Sequence, residues 1–454
     1  MNNLNFLVDV LKESPVFKTL EKNVKPGRTV CASGLSTINK SNIIYALCRL
    51  KGVTAFCLAS DEKEAQTLCN DLSCMGLRAY VYPVRDFNFL DFQSRSHEYE
   101  HARLKVLLKL INHECDVAIA CVDAAAQLTV PRNVLEQSVI EFEEGRELSL
   151  EKATKALTLL GYERFDAVEG SGQFSLRGGI LDFFMPDSDY PVRCEFWGDE
   201  ITDLSYFDIE TQRRFKKADK ITLSPSTEIV IEDRAALADK IEHKAKLLRS
   251  KNSAKAKEKL FSEAELIRSG AMIANADKFI NQIYDKPESL FDYLDRNTLV
   301  FASEFTAIQE RGKSMDFISN ETLMQGFEDG TLCRGFDRFA LTFNECTEFL
   351  QSHGTIVLEN FVHGSMPIKL SEIISFSTKQ LSAWGGSYKQ LKEDVDGLFT
   401  PESKGVIFAG TERAAKNLCD TFNADGINAV YSEGADKISK GELLVMQGSI
   451  ECGL

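Results

Sequence analysis

The chain has 454 residues, of which 44% are hydrophobic and 27% charged, with a formal net charge of −15. That length predicts about three or four domains, each with a core of its own. The acidic balance argues against a broad DNA-binding face, because duplex affinity comes largely from lysines and arginines that replace phosphate counterions. Composition therefore favours protein partners over DNA.

The sequence also predicts a cytoplasmic protein with no membrane partner. Apolar runs of about 18 residues are absent, and residues 1–20 lack the layout of a signal peptide. The twelve cysteines fall mostly in apolar runs and form no CxxC pair. Buried thiols in a reducing compartment are therefore expected, rather than a disulfide framework or a zinc site.

Short apolar runs alternate with helical patterns over residues 1–127. The predicted strands are 28–32, 54–59, 79–83 and 116–122, and the predicted helices are 42–49, 63–75 and 97–112. This alternation is typical of a parallel sheet with helices on both faces. Residues 1–127 are therefore predicted to form the first α/β domain.

The pattern of predicted helices and strands changes after residue 127. One predicted helix, 150–160, lies among alternating strands, which indicates an inserted α+β domain over residues 128–214. Residues 215–335 are predicted to be rich in helix, with long helical stretches in 227–284 interrupted around 250–253. A buried strand at 298–303 and an irregular stretch to about 338 complete that domain.

A linker and a second, smaller α/β domain are predicted for residues 336–454. Its strand candidates are 355–358, 405–409 and 443–446, and its helix is 412–422. Residues 408–412 lack the lysine and second glycine of a phosphate loop, so Thr411 is predicted to be a plain N-cap. The sequence stops soon after a strand, and we expect it to be part of something longer.

Period-two alternation places unusual residues on the water-facing side of the inserted sheet. Phe174 and Leu176 point inward, which turns Arg177 outward, and the same argument turns Arg193 and Trp197 outward in residues 192–197. Arginine and tryptophan concentrate binding energy at interfaces, so the pattern predicts a partner-binding face. The alternative is a two-sided strand whose tryptophan packs under a neighbouring loop.

These segments carry a family resemblance. The runs QFSLRGGILDFF, PVRCEFWGDEI and LSYFDIETQR resemble the second domain of the UvrB-like module of bacterial transcription-repair coupling factors, and a weaker likeness extends over residues 83–304. The resemblance implies a helicase-like fold of the RecA and UvrB type that has lost its ATPase activity. It also implies recruitment of the excision-repair protein UvrA, with contacts from Arg177, Arg193 and Trp197.

The resemblance has further implications for partners and cofactors. RNA polymerase, DNA, ATP and Mg²⁺ are handled by later parts of the full-length coupling factors, which are ATP-dependent DNA translocases, and a C-terminal domain masks the UvrA-binding face. No cofactor is implied for the present segment. The sequence departs from UvrB itself over residues 80–101, which are too few for the aromatic hairpin that probes damage.

A degenerate phosphate loop follows the first strand. A working P-loop reads GxxxxGK[ST], and here Asn39 replaces the second glycine. The matching acidic motif at the end of strand 298–303 has Ser303 where a magnesium-binding aspartate is expected. A relic nucleotide site is therefore predicted, and the alternative is an active UvrB-like ATPase. Its residues are Gly34, Asn39, Lys40, Ser41, Ser303 and Glu304.

Residues 97–101 spell HExxH, a pattern that on a helix places two imidazoles one turn apart with a glutamate as general base. The alternative function it suggests is a zinc hydrolase with His113 or Glu114 as third ligand. We favour an exposed first turn of a helix, whose acids Glu98 and Glu100 suit the positive end of the helix dipole, and predict no metal.

The most basic stretch of the chain is residues 244–259. It suits contact with phosphates or with polymerase, but a helix face whose charges remain in water is the preferred interpretation.

Overall fold

The computed structural model describes residues 5–85, 97–249, 253–270, 276–361, 366–378, 384–433 and 438–448. In the first part of the chain, strands alternate with helices as predicted. The strands are β1 (Val30–Ser33), β2 (Ala55–Ala59), β3 (Ala79–Val81) and β4 (Val117–Cys121). The helices are α1 (Asn5–Glu13), α2 (Pro15–Asn23), α3 (Thr37–Lys51), α4 (Glu62–Cys74), α5 (Glu98–Ile111) and α6 (Val122–Ala126).

The inserted part is dominated by a mixed sheet, in which β6 and β7 pair in parallel and the other neighbours are antiparallel. Its elements are α7 (Arg132–Gln137), β5 (Ile140–Glu143), α8 (Leu150–Leu159), β6 (Glu163–Arg164), β7 (Gln173–Arg177), β8 (Ile180–Phe183), β9 (Val192–Trp197), β10 (Glu200–Phe207), β11 (Arg214–Lys217) and β12 (Lys220–Leu223). Six strands form one sheet in the order β11-β10-β9-β8-β7-β6, and β12 pairs with β5. That second pairing extends the inserted unit beyond the predicted end at 214.

The helix-rich part confirms the predicted long helices. It contains α9 (Arg234–Leu247), α10 (Ser253–Ser269), α11 (Ile280–Ile283), β13 (Leu299–Ser303), α12 (Phe305–Asp329) and two 3-10 helices, Ala276–Phe279 and Leu290–Tyr293. The prediction of an irregular stretch after β13 was wrong, because α12 fills most of it. Few of its side chains are buried, so the sequence shows no apolar stripe there.

The last part divides between two sheets. Its elements are α13 (Phe343–His353), β14 (Thr355–Glu359), β15 (Glu372–Ser375), α14 (Tyr388–Leu398), β16 (Lys404–Ala409), α15 (Glu412–Ala424), β17 (Ala429–Tyr431) and β18 (Glu442–Gln447). The small parallel sheet has the order β16-β18-β17. The predicted N-cap is confirmed, since the side chain of Thr411 accepts a hydrogen bond from the amide of Ala414.

The predicted membership of strand 355–358 in this small unit was wrong. β14 lies between β1 and β13 in the large sheet, paired in parallel with both. A buried apolar strand has the same sequence pattern in either sheet, because the pattern indicates burial and not which strand is the neighbour.

The large sheet is parallel throughout, with seven strands in the order β15-β1-β14-β13-β2-β4-β3. One apolar cluster packs on each face, and Phe56 and Cys57, adjacent on β2, belong to opposite clusters. The α/β fold with a large parallel sheet and an inserted α+β unit is confirmed. Because β13 and β14 lie beside β2 and β1, the carboxyl ends of all four strands meet at the degenerate phosphate loop.

Free thiols occur at eleven cysteines of the described ranges, and nine of them are buried. Burial raises the pKa of Cys57 and Cys48 far above the ordinary thiol value, so these groups behave as small apolar residues. No helix within the described ranges combines the length and apolar character that crossing a bilayer requires.

Candidate partner-binding face and degenerate nucleotide pocket

Strand register brings the two predicted arginines to one carboxylate. Asp182 of β8 pairs with Ser175 of β7 on one side and with Arg193 of β9 on the other. Arg177 follows Ser175 by two residues and therefore points to the same face. The three charged side chains thus lie side by side on the outer surface of the inserted sheet.

Asp182 is the buried centre of this group, with its side chain 1% exposed. Its Oδ1 accepts from Nε of Arg193 at 2.8 Å, and its Oδ2 accepts from Nη2 of Arg193 at 2.8 Å. Oδ2 also accepts from Nη2 of Arg177 at 2.7 Å. The hydrogen bond to Asp182 raises the pKa of Arg193 above its ordinary value. The two parallel hydrogen bonds between Arg193 and Asp182 fix the orientation of the guanidinium group as well as pairing its charge.

The two arginines differ in accessibility. The side chain of Arg193 is 12% exposed, because its guanidinium stacks 4.4 Å from the ring centre of Phe207 and donates to Gln212. The side chain of Arg177 is 50% exposed. The prediction that both arginines face away from the core is confirmed, but Arg177 is the one that water reaches freely.

Trp197 is 82% exposed at the end of β9. The chain reverses directly after it, since Trp197 pairs with Glu200 across a two-residue turn in which Gly198 has a φ of 62°. Glycine suits that left-handed position, and the short turn leaves no loop to cover the indole. The alternative in which a neighbouring loop covers Trp197 was wrong.

A second charged group on this face has a net charge of −1, because one arginine is paired there with two carboxylates. Arg214 forms ion pairs with Glu195 and Asp203. Arg177, Arg193 and Asp182 together have a net charge of +1, and by strand alternation Trp197 lies on the same face of the sheet. That combination suits a partner surface with an acidic group next to an apolar recess.

The degenerate phosphate loop is closed by the chain itself. The amides of Gly34 and Leu35 donate to the carbonyl oxygens of Asn360 and Glu359 at 3.1 and 3.0 Å. Gly34 has a φ of 79°, and a Cβ there would collide with the carbonyl oxygen of Phe376. Asn39, which replaces the second glycine, donates to Ser36 within the loop. Backbone atoms thus crowd the start of the loop, where a phosphate would approach.

Lys40, in the place of the phosphate-binding lysine, is 3% exposed. Its ammonium group contacts Ser303 at 3.0 Å, Glu304 at 2.5 Å and Glu64 at 3.5 Å. Ser41, in the place of the magnesium-binding hydroxyl, donates to Asp71 at 3.2 Å. Of the predicted pocket residues, Lys40, Ser303 and Glu304 therefore bind one another, whereas Asn39 and Ser41 bind Ser36 and Asp71.

Glu359 at the end of β14 was missed by sequence reasoning. It is buried, its Oε1 accepts from the amide of Phe305 at 2.7 Å, and its Oε2 has no hydrogen-bond partner among the described residues. Burial, and then the neighbouring carboxylate of Glu304, raise the pKa of Glu359 to about 7. An acidic residue at the end of a buried strand was the available signal.

The HExxH pattern has a structural task. Nδ1 of His97 bonds to Glu100 at 3.0 Å, and the His97 and His101 rings stack at 5.9 Å. Glu100 is buried and accepts from the hydroxyl of Thr227 and the amide of Glu228, both at 2.8 Å. The preferred interpretation as an exposed turn was wrong for Glu100. Glu98 does lie exposed in the first turn of α5.

The proposed third ligands, His113 and Glu114, both follow the C-terminal end of α5. Glu114 is paired with Lys109, and His113 adopts a φ of 55° just past the helix. Within the described ranges no three His, Cys, Asp or Glu side chains are grouped as a metal site requires. The polar stretch before residue 97 lies outside the described residues.

The basic stretch at 244–259 belongs to the α9–α10 helix pair. Lys244 donates to the carbonyl of Gly335 at 3.3 Å, and Lys246 pairs with Glu242. Residues 250–252 between the helices lie outside the described residues.

The inserted unit has a recognisable counterpart among known domains. Residues 140–229 match the model of the UvrB interaction domain. This part of the chain is therefore similar to the UvrB interaction domain. The matched range contains β5 to β12 and the residues of the candidate partner-binding face, which is called the recruiting face below: Arg177, Asp182, Arg193 and Trp197.

Longer comparisons agree with this domain assignment. The chain is 25% identical to the transcription-repair-coupling factor of Bacillus subtilis over 98% of its own length and 38% of that relative. It is 25% identical to the Staphylococcus epidermidis factor over 82% of the chain and 32% of the relative, and 21% identical to a Staphylococcus aureus factor over 99% and 39%. The predicted resemblance to these factors is confirmed, and the chain spans less than half of their length.

Proposed function

We propose that this chain is a non-catalytic recruitment module that binds UvrA through its UvrB interaction domain in transcription-coupled nucleotide excision repair. The supporting observation is the 82% exposed Trp197 on the same sheet face as the half-exposed Arg177. In this proposal Trp197 fills an apolar recess on UvrA, and Arg177 and Arg193 face its acidic groups. The process, transcription-coupled repair, is proposed from the names of the relatives, which are transcription-repair-coupling factors.

The proposal assigns other tasks to other parts of a full-length factor. Contact with RNA polymerase and DNA, ATP-driven translocation with Mg²⁺, and masking of the recruiting face are proposed to lie outside the present chain. A cytoplasmic location belongs to the same proposal, because its partners act on transcribed bacterial DNA.

UvrA binding tests the proposal directly. Isothermal titration of purified UvrA into the chain should give a saturable signal, and Trp197→Ala and Arg177→Ala should each weaken binding by about 2 kcal/mol, roughly thirtyfold. Arg146→Ala is the matched control, because Arg146 is 48% exposed and paired with one carboxylate, Glu141. Equal binding by all three variants would refute the recruiting face.

An active ATPase is the competing function, and the pocket geometry argues against it. Lys40 is already paired with Glu304 and Glu64, so binding a nucleotide requires that buried ion pairs be broken. Incubation with ATP and Mg²⁺ should release no phosphate above the level of a Lys40→Met control, and ATP should not raise the midpoint of thermal unfolding. Turnover that Lys40→Met abolishes would favour the ATPase.

A further inference from the structure

We propose that Asp182 is a positioning residue for the recruiting face. Its carboxylate, which Arg193 braces, holds Arg177 in the orientation that meets the partner. This inference rests on the proposed function, since it concerns the same face. Asp182 lies on the sheet between the two arginines.

The position of Asp182 in the sheet allows one side chain to reach both arginines. β8 lies between β7 and β9, so a side chain on its outer face has an arginine-bearing strand on either side. Oδ1 receives one hydrogen bond, Oδ2 receives two, and the three distances are 2.7 to 2.8 Å. With its side chain 1% exposed, Asp182 does not itself touch a partner and acts through the arginines.

The two arginines then have different tasks. Nε, Nη1 and Nη2 of Arg193 all donate within the chain, to Asp182 and Gln212. Arg177 donates through Nη2 to Asp182, and half of its side chain is in contact with water. Arg193 therefore braces the sheet and the carboxylate, while Arg177 presents free N–H groups to the partner.

Holding Arg177 before the encounter favours binding. An arginine that moves freely loses rotamer freedom when a partner immobilises it, and that loss subtracts from the binding free energy. The ion pair with Asp182 restricts Arg177 in the free chain, so less freedom is lost on binding.

The test compares UvrA affinity in two backgrounds. Asp182→Asn should weaken binding about tenfold in the otherwise unchanged chain, and less than about twofold in a chain that already carries Arg177→Ala. A general structural defect would lower affinity by the same factor in both backgrounds. The matched control is Asp203→Asn, which removes a carboxylate of the same face that pairs with Arg214 and should leave affinity unchanged.

A second variant keeps the test decisive if Asp182→Asn does not fold. Asp182→Glu keeps the charge but moves the carboxylate by one methylene, and circular dichroism reports whether the fold persists. Loss of affinity by at least about fivefold in folded Asp182→Glu supports positioning. Unchanged affinity in Asp182→Glu, or equal factors in both backgrounds for Asp182→Asn, overturns it.

Failure of the proposed function gives a different result. If the unmodified chain does not bind UvrA, recruitment itself is refuted, and the role of Asp182 with it. If the unmodified chain binds and Asp182→Asn binds equally well, recruitment stands and only the positioning role is refuted.

Discussion

Lys40 and Glu359 illustrate how the partners of a single residue decide what it does. Lys40 keeps the residue type and place of a phosphate-binding lysine, yet its ammonium group contacts Ser303, Glu304 and Glu64. Glu359 lies at the end of β14 with one carboxylate oxygen lacking a hydrogen-bond partner among the described residues. The carboxylates that pair with Lys40 thus take the place of the negative charge that a nucleotide would bring. Glu359 remains a buried acid with little solvation.

Glu359→Gln is predicted to stabilise the chain at alkaline pH. The folded state raises the pKa of Glu359 from 4.5 to about 7, so its favourable contribution is complete below the unfolded pKa and is lost as pH rises through 7. Glutamine needs no proton. Near pH 8 the variant should therefore be more stable than the unmodified chain by roughly 3 kcal/mol, and near pH 5 the gain should largely disappear.

Urea unfolding at both pH values measures this difference. Glu372→Gln is the control, because that carboxylate is part of a half-exposed ion pair with Arg28, and water-accessible pairs contribute little to stability. A gain from Glu359→Gln that is the same at both pH values would contradict the pH argument.

At the scale of elements, α12 shows why a long helix escaped prediction. Its interior contains Gly312 and Gly326, and glycine lowers helix propensity. Both glycines are close-contact positions: a Cβ at Gly312 would collide with the ring of Phe343 in α13, and one at Gly326 would lie 2.7 Å from the side chain of Leu332. The residues that weaken the local signal are therefore the residues that allow neighbouring segments to pack against the helix.

Gly312→Ala is predicted to destabilise the chain although alanine is the better helix former. Overpacking against Phe343 should cost about 1 to 3 kcal/mol, more than the roughly 1 kcal/mol of propensity gained. Gly397→Ala is the matched control, because Gly397 lies in α14 with no atom within 4 Å of a Cβ, and it should stabilise by about 0.5 to 1 kcal/mol. Thermal unfolding of both variants measures these effects. Unfolding midpoints that shift in the same direction in the two variants would contradict this account.

At the scale of the whole molecule, a buried group of charges joins the inserted unit to the large-sheet unit. Glu228 lies just beyond β12 and accepts from Arg103 at 2.6 Å, from Thr129 at 3.0 Å and from Arg85 at 3.3 Å. Arg103 is fully buried and lies 4.2 Å from the ring centre of Tyr82. These contacts fix where the chain leaves the inserted unit.

Glu228→Gln is predicted to weaken that joint. The substitution leaves Arg103 and Arg85 buried with less opposing charge, which should cost about 3 kcal/mol. Urea unfolding followed by circular dichroism measures the loss. Glu232→Gln, which alters an exposed residue four positions along the chain, is the control and should be neutral. Equal stability of both variants would show that the buried charges do not support the joint.

Local features of this protein were determined by the sequence alone. Alternation predicted the outward position of Arg177, Arg193 and Trp197, and apolar runs predicted β1, β2, β4 and β13, because side-chain periodicity records which face of an element is buried. Tertiary structure decided the sheet to which β14 belongs, the binding of both arginines by Asp182 and the pairing of Lys40 inside its own pocket. Those outcomes join residues far apart in sequence, and periodicity carries no information about such partners.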